Sequence, residues 1–428
     1  MFNDNNGEPL EIEKIISSRK LEFDASVVTE AKKQLKSLEF KTLEITPRDE
    51  FVVMLLKSLR DNSPLRVKCG IDPTGTDVHL GHTIPYRKMR QFQDLGHTGV
   101  VVIGDYTAQI GDPTGKVESR PALTPEDTKK NAQKYLEQIS CVLDMNRTEV
   151  RHQSEWFGST TLLDVMNWAN QTTVAKLVSH DTFKKRLEQG HSLGLHELFY
   201  PVLQGIDSVF INADVELGGS DQKFNVLMGR DYQKWKGKRP QVAVLLPIIQ
   251  GTCGTQKMSK SLNNYIGVLD KPFDQFGKVM SIPDELMIEY AQFASSMSES
   301  EFLEFKKSLE SGSMHPNIAK KQLASNIVAI FHGKDIGDQM KLQFEEVFKK
   351  KNVPDEIPEY SFERGASLSS IILGAKLLKS SSEVRRMVSQ NAVGIVDGDK
   401  ITDHSYVIDA SFEGRILKIG KRKFLKLV

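Results

Sequence analysis

The sequence is poor in cysteine and contains no long apolar run. Its three cysteines, Cys69, Cys141 and Cys253, form no CxxC pair, so neither a disulfide framework nor a cysteine zinc site is expected. The longest apolar run, residues 242–249, is too short to span a bilayer. The first residues are polar and lack the apolar core of a signal peptide. We therefore expect a cytoplasmic protein with no membrane contact and no protein-bound metal.

An excess of charge of one sign is also missing. Lysine and arginine total 57 against 56 aspartates and glutamates, which excludes a uniformly basic coat for nucleic acid. A local excess exists, because residues 365–428 contain eleven Lys/Arg and six Asp/Glu. That region can bind phosphates, although a basic tail is as often only solvated.

The length of 428 residues predicts two or three domains. Helical periodicity, alternation of strands with helices, and proline-rich aperiodic stretches divide the chain into segments. In chain order these are a helical extension (1–63), an α/β domain (64–270) with an insertion at about 124–195, a helical domain (271–350), a linker (351–364) and a small α/β module (365–428).

The chain is organised around one strand–turn–helix pattern. A strand-like run, residues 65–71, leads into a turn rich in Asp, Pro, Thr and Gly, and an amphipathic run follows from about 83 to 95. This pattern predicts the first half of a nucleotide-binding βαβ unit, where backbone N–H groups receive phosphate. His79 and His82 lie three apart with Gly81 between them, so both can face one ligand that approaches the backbone closely. Taken alone, the two histidines are as often surface residues.

A serine-rich loop, residues 257–261, reads Lys-Met-Ser-Lys-Ser. Its lysines, Lys257 and Lys260, suit a mobile clamp for a triphosphate, and a merely solvated loop is the alternative. Another loop, after the apolar run 99–104, carries Asp112, Lys116 and Arg120. Asp112 then follows a strand end and can hold an ammonium group, while the two cations can close over a polyphosphate. A plain Gly-Asp-Pro turn is the alternative there.

Tyr200, Gln204 and Asp207 follow one another at i, i+4 and i+7, which places them on one helix face. A phenol, an amide and a carboxylate facing inward need polar partners, so this face predicts a ligand, with an exposed helix side as the alternative. Downstream, Ser220 is a candidate helix cap, and Asp221 after a Gly-Gly turn can bind ribose hydroxyls or cap the helix.

His-Leu-Gly-His at 79–82, combined with Lys-Met-Ser-Lys-Ser at 257–261, resembles the two signatures of class I aminoacyl-tRNA synthetases. From Leu65 onward the chain is similar to bacterial tyrosyl-tRNA synthetases that carry a C-terminal S4 RNA-binding module. The motifs that carry this similarity are Gly-Ile-Asp-Pro-Thr (70–74), Ile-Gly-Asp-Pro (110–113), Leu-Gln-Gly-Ile-Asp (203–207), Leu-Gly-Gly-Ser-Asp-Gln (217–222), Ser-Glu-Val-Arg-Arg (382–386) and Gly-Lys-Arg-Lys-Phe (420–424).

The resemblance implies a Rossmann-type α/β catalytic domain, then an α-helical domain and a small α+β S4-like module. It implies a tyrosine–tRNA ligase that forms tyrosyl-adenylate and pyrophosphate from L-tyrosine and ATP, then transfers the tyrosyl group to the 3′-terminal ribose of tRNA(Tyr). It further implies Mg²⁺ with the ATP and a homodimer that contacts through the insertion.

The resemblance also assigns residues to groups. The phosphates and the departing pyrophosphate would meet Thr74, His79, His82, Lys116, Arg120, Lys257 and Lys260. The nucleotide and adenylate would meet Cys69, Gly70, Asp72, Gly81, Gly218, Asp221 and Ser261. The tyrosine would meet Asp112, Tyr200, Gln204, Asp207 and Gln222. The RNA would meet Arg385, Arg386, Lys421, Arg422 and Lys423.

Two residues depart from the family pattern. Lys68 stands where one group of members has a tyrosine that contacts the substrate phenol, and Ile206 replaces the usual tyrosine before the specificity aspartate, Asp207. Three alternatives remain at this point: a tryptophanyl-tRNA synthetase, a small nucleotidyltransferase, and an inactive RNA-binding protein derived from a synthetase.

Overall fold

The computed structural model describes residues 12–112, 124–351, 357–363, 365–396, 400–420 and 423–428. The chain divides into two compact units, Met1–Met340 and Lys341–Val428. Within the described ranges, every helix is either too short or too polar to cross a membrane.

The first unit is built on a six-stranded sheet. Its strands in chain order are β1 (Glu44–Thr46), β2 (Arg66–Ile71), β3 (Thr98–Ile103), β4 (Thr148–His152), β5 (Val215–Gly219) and β6 (Val242–Leu246). Their order across the sheet is β1-β6-β5-β2-β3-β4, and only β1 runs antiparallel to its neighbour. The chain crosses from one half of the sheet to the other between β4 and β5. The order therefore reverses beside β2, where open α/β sheets bind ligands.

Helices cover this sheet and extend the first unit beyond it. In chain order they are α1 (Ile12–Ser18), α2 (Ala25–Glu39), α3 (Arg48–Arg60), α4 (Leu80–Asp94), α5 (Thr107–Ile110), α6 (Pro125–Ile139), α7 (Ser154–Phe157), α8 (Leu162–Ala169), α9 (Val174–Val178), α10 (Asp181–Glu188), α11 (Tyr200–Phe210), α12 (Lys223–Trp235), α13 (Pro272–Met280), α14 (Met287–Glu289), α15 (Glu299–Glu310), α16 (Pro316–His332) and α17 (Lys334–Lys351). The helix α17 continues past the boundary between the units. The central strands β3 and β6 are buried almost throughout, as expected for a parallel sheet with helices on both faces. The predicted α/β fold class is confirmed.

Four local predictions need correction. The extension predicted as helical also contains β1, because pairing of Ile45 with Val244 adds a strand too short to show a period. Within the insertion, the sequence favours a short strand over 150–156, but β4 ends at His152 and α7 begins where the Ser154 N–H donates to Asp105. Within the predicted helical domain, periodicity favours one helix over 284–293, but the structure has a 3₁₀ turn, then α14, then a π-helical turn there. Ser220 begins a 3₁₀ turn and makes no capping hydrogen bond there.

The second unit has its own four-stranded sheet and apolar core. Its remaining elements are α18 (Leu368–Gly374), α19 (Ser381–Ser389), β7 (Glu359–Tyr360), β8 (Val393–Ile395), β9 (Ile416–Ile419) and β10 (Lys423–Leu427). The strand order is β7-β10-β9-β8, with both helices packed on the core. The segment predicted as a linker, 351–364, thus contributes β7, which pairs with β10. The sequence also predicts a strand that leads into a hairpin turn at 393–400, and residues 397–399 of that turn lie outside the described residues.

Candidate active site

A cavity of about 830 Å³ opens where β2, β5 and β6 end. Every sequence-predicted residue for the nucleotide and the amino acid that falls in the described ranges lines it. These are Cys69, Gly70, Asp72, Thr74, His79, Gly81, His82, Asp112, Tyr200, Gln204, Asp207, Gly218, Asp221, Gln222, Lys257, Lys260 and Ser261. Lys116 and Arg120 lie outside the described residues.

The two histidines cap the helix that leaves the first strand of the site. His79 is the N-cap of α4, and its Nδ1 accepts from the His82 N–H at 3.3 Å, while His82 Nδ1 lies 3.4 Å from the His79 N–H. The rings stack with centroids 3.5 Å apart. Burial lowers the pKa of His79 to about 2 and that of His82 to about 4. Both imidazoles are therefore neutral at pH 7, and because each Nδ1 accepts, each Nε2–H is the group left to donate.

Gly81 is needed for this packing. A Cβ built on Gly81 would lie 3.2 Å from the His79 imidazole and 3.6 Å from the Ile249 side chain. A side chain here would press on the imidazole or on Ile249. The glycine therefore leaves space for a ligand in this part of the cavity.

The lysine loop forms one wall of the cavity. Met258 is buried and anchors the loop, and the Ser259 N–H donates to Asn264 Oδ1 at 2.8 Å. Lys257 is exposed, whereas the Lys260 ammonium lies 3.7 Å from the Asp77 carboxylate on the turn after β2. The loop thus places two cations beside the histidines without burying them.

Asp207 lies at the buried end of the cavity and is 2% exposed. Its Oδ2 accepts from Gln153 Nε2 at 2.9 Å and its Oδ1 accepts from Trp156 Nε1 at 3.1 Å. Burial raises the pKa of this carboxyl to about 7, against the opposing effect of the Lys68 ammonium. An acceptor with fixed donors on both oxygens can still take one more hydrogen bond from a ligand.

Asp72 lines the cavity and also bonds to a residue predicted for the tyrosine. Its Oδ2 accepts from the Tyr200 hydroxyl at 2.9 Å and its Oδ1 from Thr107 Oγ1 at 2.7 Å. Gln153 links this pair to Asp207, because its Oε1 accepts from the Thr107 backbone N–H at 2.9 Å while its Nε2 donates to Asp207. The predicted adenylate contact Asp72 and the predicted tyrosine contact Tyr200 therefore belong to one network.

A second network holds the cavity wall formed by the loop after β3 and the start of α12. Gln222 Nε2 donates to Asp112 Oδ2 at 2.8 Å, and Asn225 Nδ2 donates to Gln222 Oε1 at 2.9 Å. Burial, together with the charge of Asp112, raises the pKa of Asp221. Two carboxylates close to one another favour a cationic ligand in this part of the cavity.

Cys69 and the glycines shape the remaining wall. Burial raises the pKa of the Cys69 thiol to about 12, so it is neutral. Around Gly70 nothing lies within 4 Å of an added Cβ, whereas one on Gly218 would lie 3.1 Å from the Gln222 side chain. Ser261 Oγ lies 2.9 Å from Ser259 Oγ on the lysine loop.

Sequence reasoning missed several residues of the site. Gln153 lines the cavity, as do two buried tyrosines, Tyr86 and Tyr135. Trp156 is not among the described residues that line the cavity, but its Nε1–H donates to Asp207 Oδ1. None of them belongs to a motif. The only available signal was polar or aromatic residues inside runs that were otherwise assigned to strands or helices.

The predicted RNA contacts belong to the second unit. Arg385 and Arg386 lie on α19, and Lys423 begins β10, where its ammonium donates to the Leu377 carbonyl. Lys421 and Arg422 lie outside the described residues. As for metals, the described ranges contain no group of three or more His, Cys, Asp or Glu placed to hold an ion.

Comparison with known proteins first defines the class. Residues 60–349, more than half of the chain, match the family described as tRNA synthetases class I (W and Y). The structure is similar to tyrosyl-tRNA synthetase from Archaeoglobus fulgidus complexed with L-tyrosine (TM-score 0.59, 21% identity, 73% of this chain and 99% of that one). It is also similar to tryptophanyl-tRNA synthetase from Plasmodium falciparum (TM-score 0.54, 16% identity, 77% and 93%). At these identities the two structures support the fold.

Curated relatives narrow the class. The tyrosine–tRNA ligase of Carboxydothermus hydrogenoformans is 45% identical over 407 residues, which cover 94% of this chain and 99% of that protein. The tyrosine–tRNA ligase of Thermotoga maritima is 41% identical over 394 residues, which cover 92% and 97%. The chain belongs to the tyrosine–tRNA ligase family of class I synthetases, and the resemblance inferred from the motifs is confirmed.

Proposed function

We propose that this protein is a tyrosine–tRNA ligase. It activates L-tyrosine with ATP and transfers the tyrosyl group to the 3′-terminal ribose of tRNA(Tyr). The observation that carries the proposal is a buried carboxylate, Asp207, at the closed end of a cavity whose other end holds two neutral histidines and two lysines. A phenol hydroxyl donates to such a carboxylate, and a polyphosphate suits the other end.

In the first step a carboxylate oxygen of tyrosine attacks the α-phosphorus of ATP. The bond from that phosphorus to the oxygen bridging to the β-phosphate breaks, and pyrophosphate leaves with the electron pair. The tyrosine carboxylate is already ionised at neutral pH, so no general base is needed. Catalysis then comes from positioning and from stabilising the charge that develops.

The phosphate-side residues supply that stabilisation. Neutral His79 and His82 donate through Nε2–H, Thr74 lies on the turn beside them, and Lys257 and Lys260 follow the departing pyrophosphate. Lys116 and Arg120, which lie outside the described residues, are proposed to close over the same group. In the second step the terminal ribose hydroxyl attacks the tyrosyl carbonyl carbon, the bond from that carbon to the phosphate oxygen breaks, and AMP leaves with the electron pair and the hydroxyl proton.

The tyrosine-side residues bind the amino acid. Asp112, Tyr200, Gln204 and Gln222 surround the ammonium group, which suits the carboxylates in that wall. Asp207 accepts from the phenol. Phenylalanine would leave this buried carboxylate without a third partner, which accounts for selectivity without an editing site. The residues proposed to surround the nucleotide are Cys69, Gly70, Asp72, Gly81, Gly218, Asp221 and Ser261.

We also propose that Mg²⁺ enters with ATP as the counterion of its phosphates, because this ion prefers phosphate oxygens and its own waters to an all-protein cage. A cytoplasmic location is proposed as well, and it is supported by the three free cysteines.

A homodimer is proposed through the insertion. Exposed apolar side chains gather on α8 and α9, namely Leu162 (73% exposed), Leu163 (69%), Met166 (58%) and Val174 (66%). Solvated apolar side chains concentrated on two short helices favour a partner surface. Sedimentation should give a dimer that Leu163→Asp converts to a monomer, while Leu303→Asp, at a side chain 55% exposed on α15, leaves it intact. A monomeric wild-type protein would refute the proposal.

The second unit is proposed to bind tRNA through Arg385, Arg386, Lys423 and the neighbouring Lys421 and Arg422. Replacing Arg385 and Arg386 by alanine should weaken tRNA binding about tenfold and reduce its salt dependence, since two phosphate contacts are lost. Amino-acid activation should not change. Lys306 and Lys307 on α15, replaced in the same way, are the control.

The experiment that tests the main proposal is ATP–pyrophosphate exchange with each amino acid in turn, without tRNA. Exchange with tyrosine alone is expected. Exchange with tryptophan instead would assign Asp207 to an indole N–H. Folded protein that exchanges with no amino acid would favour a non-catalytic RNA-binding role.

A further inference from the structure

A buried ion pair lies behind the tyrosine side of the cavity. Lys68 on β2 and Glu216 on β5 stand opposite each other in neighbouring strands, with Lys68 Nζ 2.9 Å from Glu216 Oε1. Their side chains are 0% and 1% exposed. Two charges removed from water to this extent are tolerated only when their remaining donors and acceptors are also bonded.

Those remaining bonds lead to one helix. Lys68 Nζ donates to the Gln204 carbonyl at 2.9 Å and to Ser208 Oγ at 2.8 Å, and Ser208 Oγ in turn donates to Glu216 Oε2 at 3.1 Å. Both Gln204 and Ser208 belong to α11, the helix that also carries Tyr200 and Asp207. The ion pair therefore fixes the helix that presents the tyrosine-side residues.

Glu216 also determines which way the Gln204 amide faces. Gln204 Nε2 donates to Glu216 Oε1 at 3.0 Å. An ionised carboxylate only accepts, so the amide nitrogen must face Glu216 and the amide oxygen is left for the ligand. An oxygen suits an ammonium group. A carboxyl buried without its cation is favoured in the neutral form, which can donate and would allow the amide to turn round.

Lys68 acts on a second cavity residue through its charge. The groups that face the Asp207 carboxyl are Lys68 from β2, Glu216 from β5, Gln153 after β4, Trp156 from α7 and the Tyr200 phenol from α11. Among these, the Lys68 ammonium opposes the effect of burial most strongly, and Glu216 adds to that effect. The cation thus favours the ionised carboxylate that a phenol requires.

We propose that Lys68 and Glu216 are a positioning pair for tyrosine recognition. Glu216 turns the Gln204 amide oxygen toward the substrate ammonium. Lys68, which donates to Ser208 next to Asp207, brings a positive charge to the carboxylate that receives the substrate phenol. Neither residue is among the described residues that line the cavity. Glu216 therefore acts through Gln204, and Lys68 acts through Asp207. This role rests on the proposed function and assigns Lys68, the residue that departs from the family pattern, to substrate specificity.

The test is tyrosine affinity, measured by calorimetry without ATP between pH 5.5 and 8.5. Glu216→Gln should weaken tyrosine binding about tenfold, the effect of one misdirected neutral hydrogen bond. The KM for ATP should not change. Lys68→Met should move the acid side of the pH profile upward by about one unit, because a neighbouring cation is lost. A purely structural role would not move that profile.

Two further variants keep the test decisive. Lys68→Met combined with Glu216→Gln leaves no lone buried charge, so it should fold even where Lys68→Met does not. It should still show weakened binding and the shifted profile. Arg66→Met is the matched control, because Arg66 lies two residues earlier on β2 and pairs with Glu149. It should lower thermal stability without affecting tyrosine binding.

The outcomes separate this role from the proposed function. A folded double variant with wild-type tyrosine affinity and an unchanged pH profile would overturn the positioning role alone. Wild-type protein that binds no tyrosine would overturn the proposed function first, and the positioning role with it.

Discussion

The two ends of the cavity hold their charged groups in opposite ways. At the closed end, Asp207 is 2% exposed and both of its oxygens accept from fixed donors, Gln153 and Trp156. At the open end, Lys257 is exposed, and the Lys260 side chain is 31% exposed with one distant partner, Asp77. A buried carboxylate with an acceptor position left for the ligand rejects a ligand that cannot donate to it. An exposed lysine on a loop discriminates little, but it can move with a leaving group. Selectivity and rate should therefore separate between the two ends.

The largest effect is expected at the closed end. Asp207→Asn should lower kcat/KM for tyrosine in pyrophosphate exchange by about 100-fold, because an amide nitrogen would face one of the two donors. The control is Asp231→Asn, at an exposed ion pair with Lys176, which should leave kcat/KM unchanged. A loss below about fivefold for Asp207→Asn would show that this end does not select the substrate.

At the open end the effect should fall on rate alone. Lys257→Ala should slow pre-steady-state adenylate formation about 100-fold, comparable to the loss of one preorganised donor to a developing charge. Tyrosine affinity should remain unchanged. Lys271→Ala, at an exposed lysine beyond the loop, is the control. Weakened tyrosine binding in Lys257→Ala would remove the distinction between the two ends.

The pH dependence sharpens the same distinction. With a pKa of about 7 for Asp207, tyrosine affinity should fall about tenfold per pH unit as the pH drops below 7. Protonation removes the carboxylate that accepts the hydrogen bond from the phenol hydroxyl. ATP affinity should not fall over the same pH range. Because the folded protein binds this proton more tightly than the unfolded chain does, the contribution of Asp207 to the free energy of unfolding decreases as pH rises from 3.8 to about 7. If the Asp207→Asn variant still loses tyrosine affinity at low pH, a group other than Asp207 causes that loss.

The smallest effect is expected at the rim. Asp77 and Lys260 form a pair 3.7 Å long, with Asp77 57% exposed, and such pairs contribute about 0–1 kcal/mol. Asp77→Ala should therefore change the KM for ATP by less than about fivefold and leave the melting temperature within about 2 °C. A larger change in either quantity would show that the open end is held more rigidly than its exposure indicates.

Prediction from the sequence succeeded where all the residues that define a feature lie within one short segment. The turn between β2 and α4, with its two histidines, and the face of α11 with Tyr200, Gln204 and Asp207 were predicted from spacing alone. Helical spacing fixes which side chains share a face, whatever the rest of the chain does. The resemblance to known motifs then brought the distant lysine loop to the same place.

Prediction failed where the structure depends on a partner from elsewhere in the chain. Strand β1 exists because β6 offers it an edge, and β7 because β10 does. Gln153 and Trp156 reach Asp207 only after α7 turns them inward. The hydrogen bond from Tyr200 to Asp72, which lies 128 residues earlier, was likewise not predicted. Such pairings leave no local sequence pattern, because the free energy that stabilises them comes from contacts between segments that are distant in the sequence.

The sequence by itself thus determined the fold class, the family and the residues that surround the cavity, because periodicity and motifs are properties of contiguous residues. The tertiary structure alone decided the chemical state of those residues. Burial made the two histidines neutral and raised the pKa of Asp207, and the pairing of Lys68 with Glu216 became visible only when β2 and β5 were placed side by side. Protonation and amide orientation depend on the local dielectric and on neighbouring charges, and these exist only once the chain has folded.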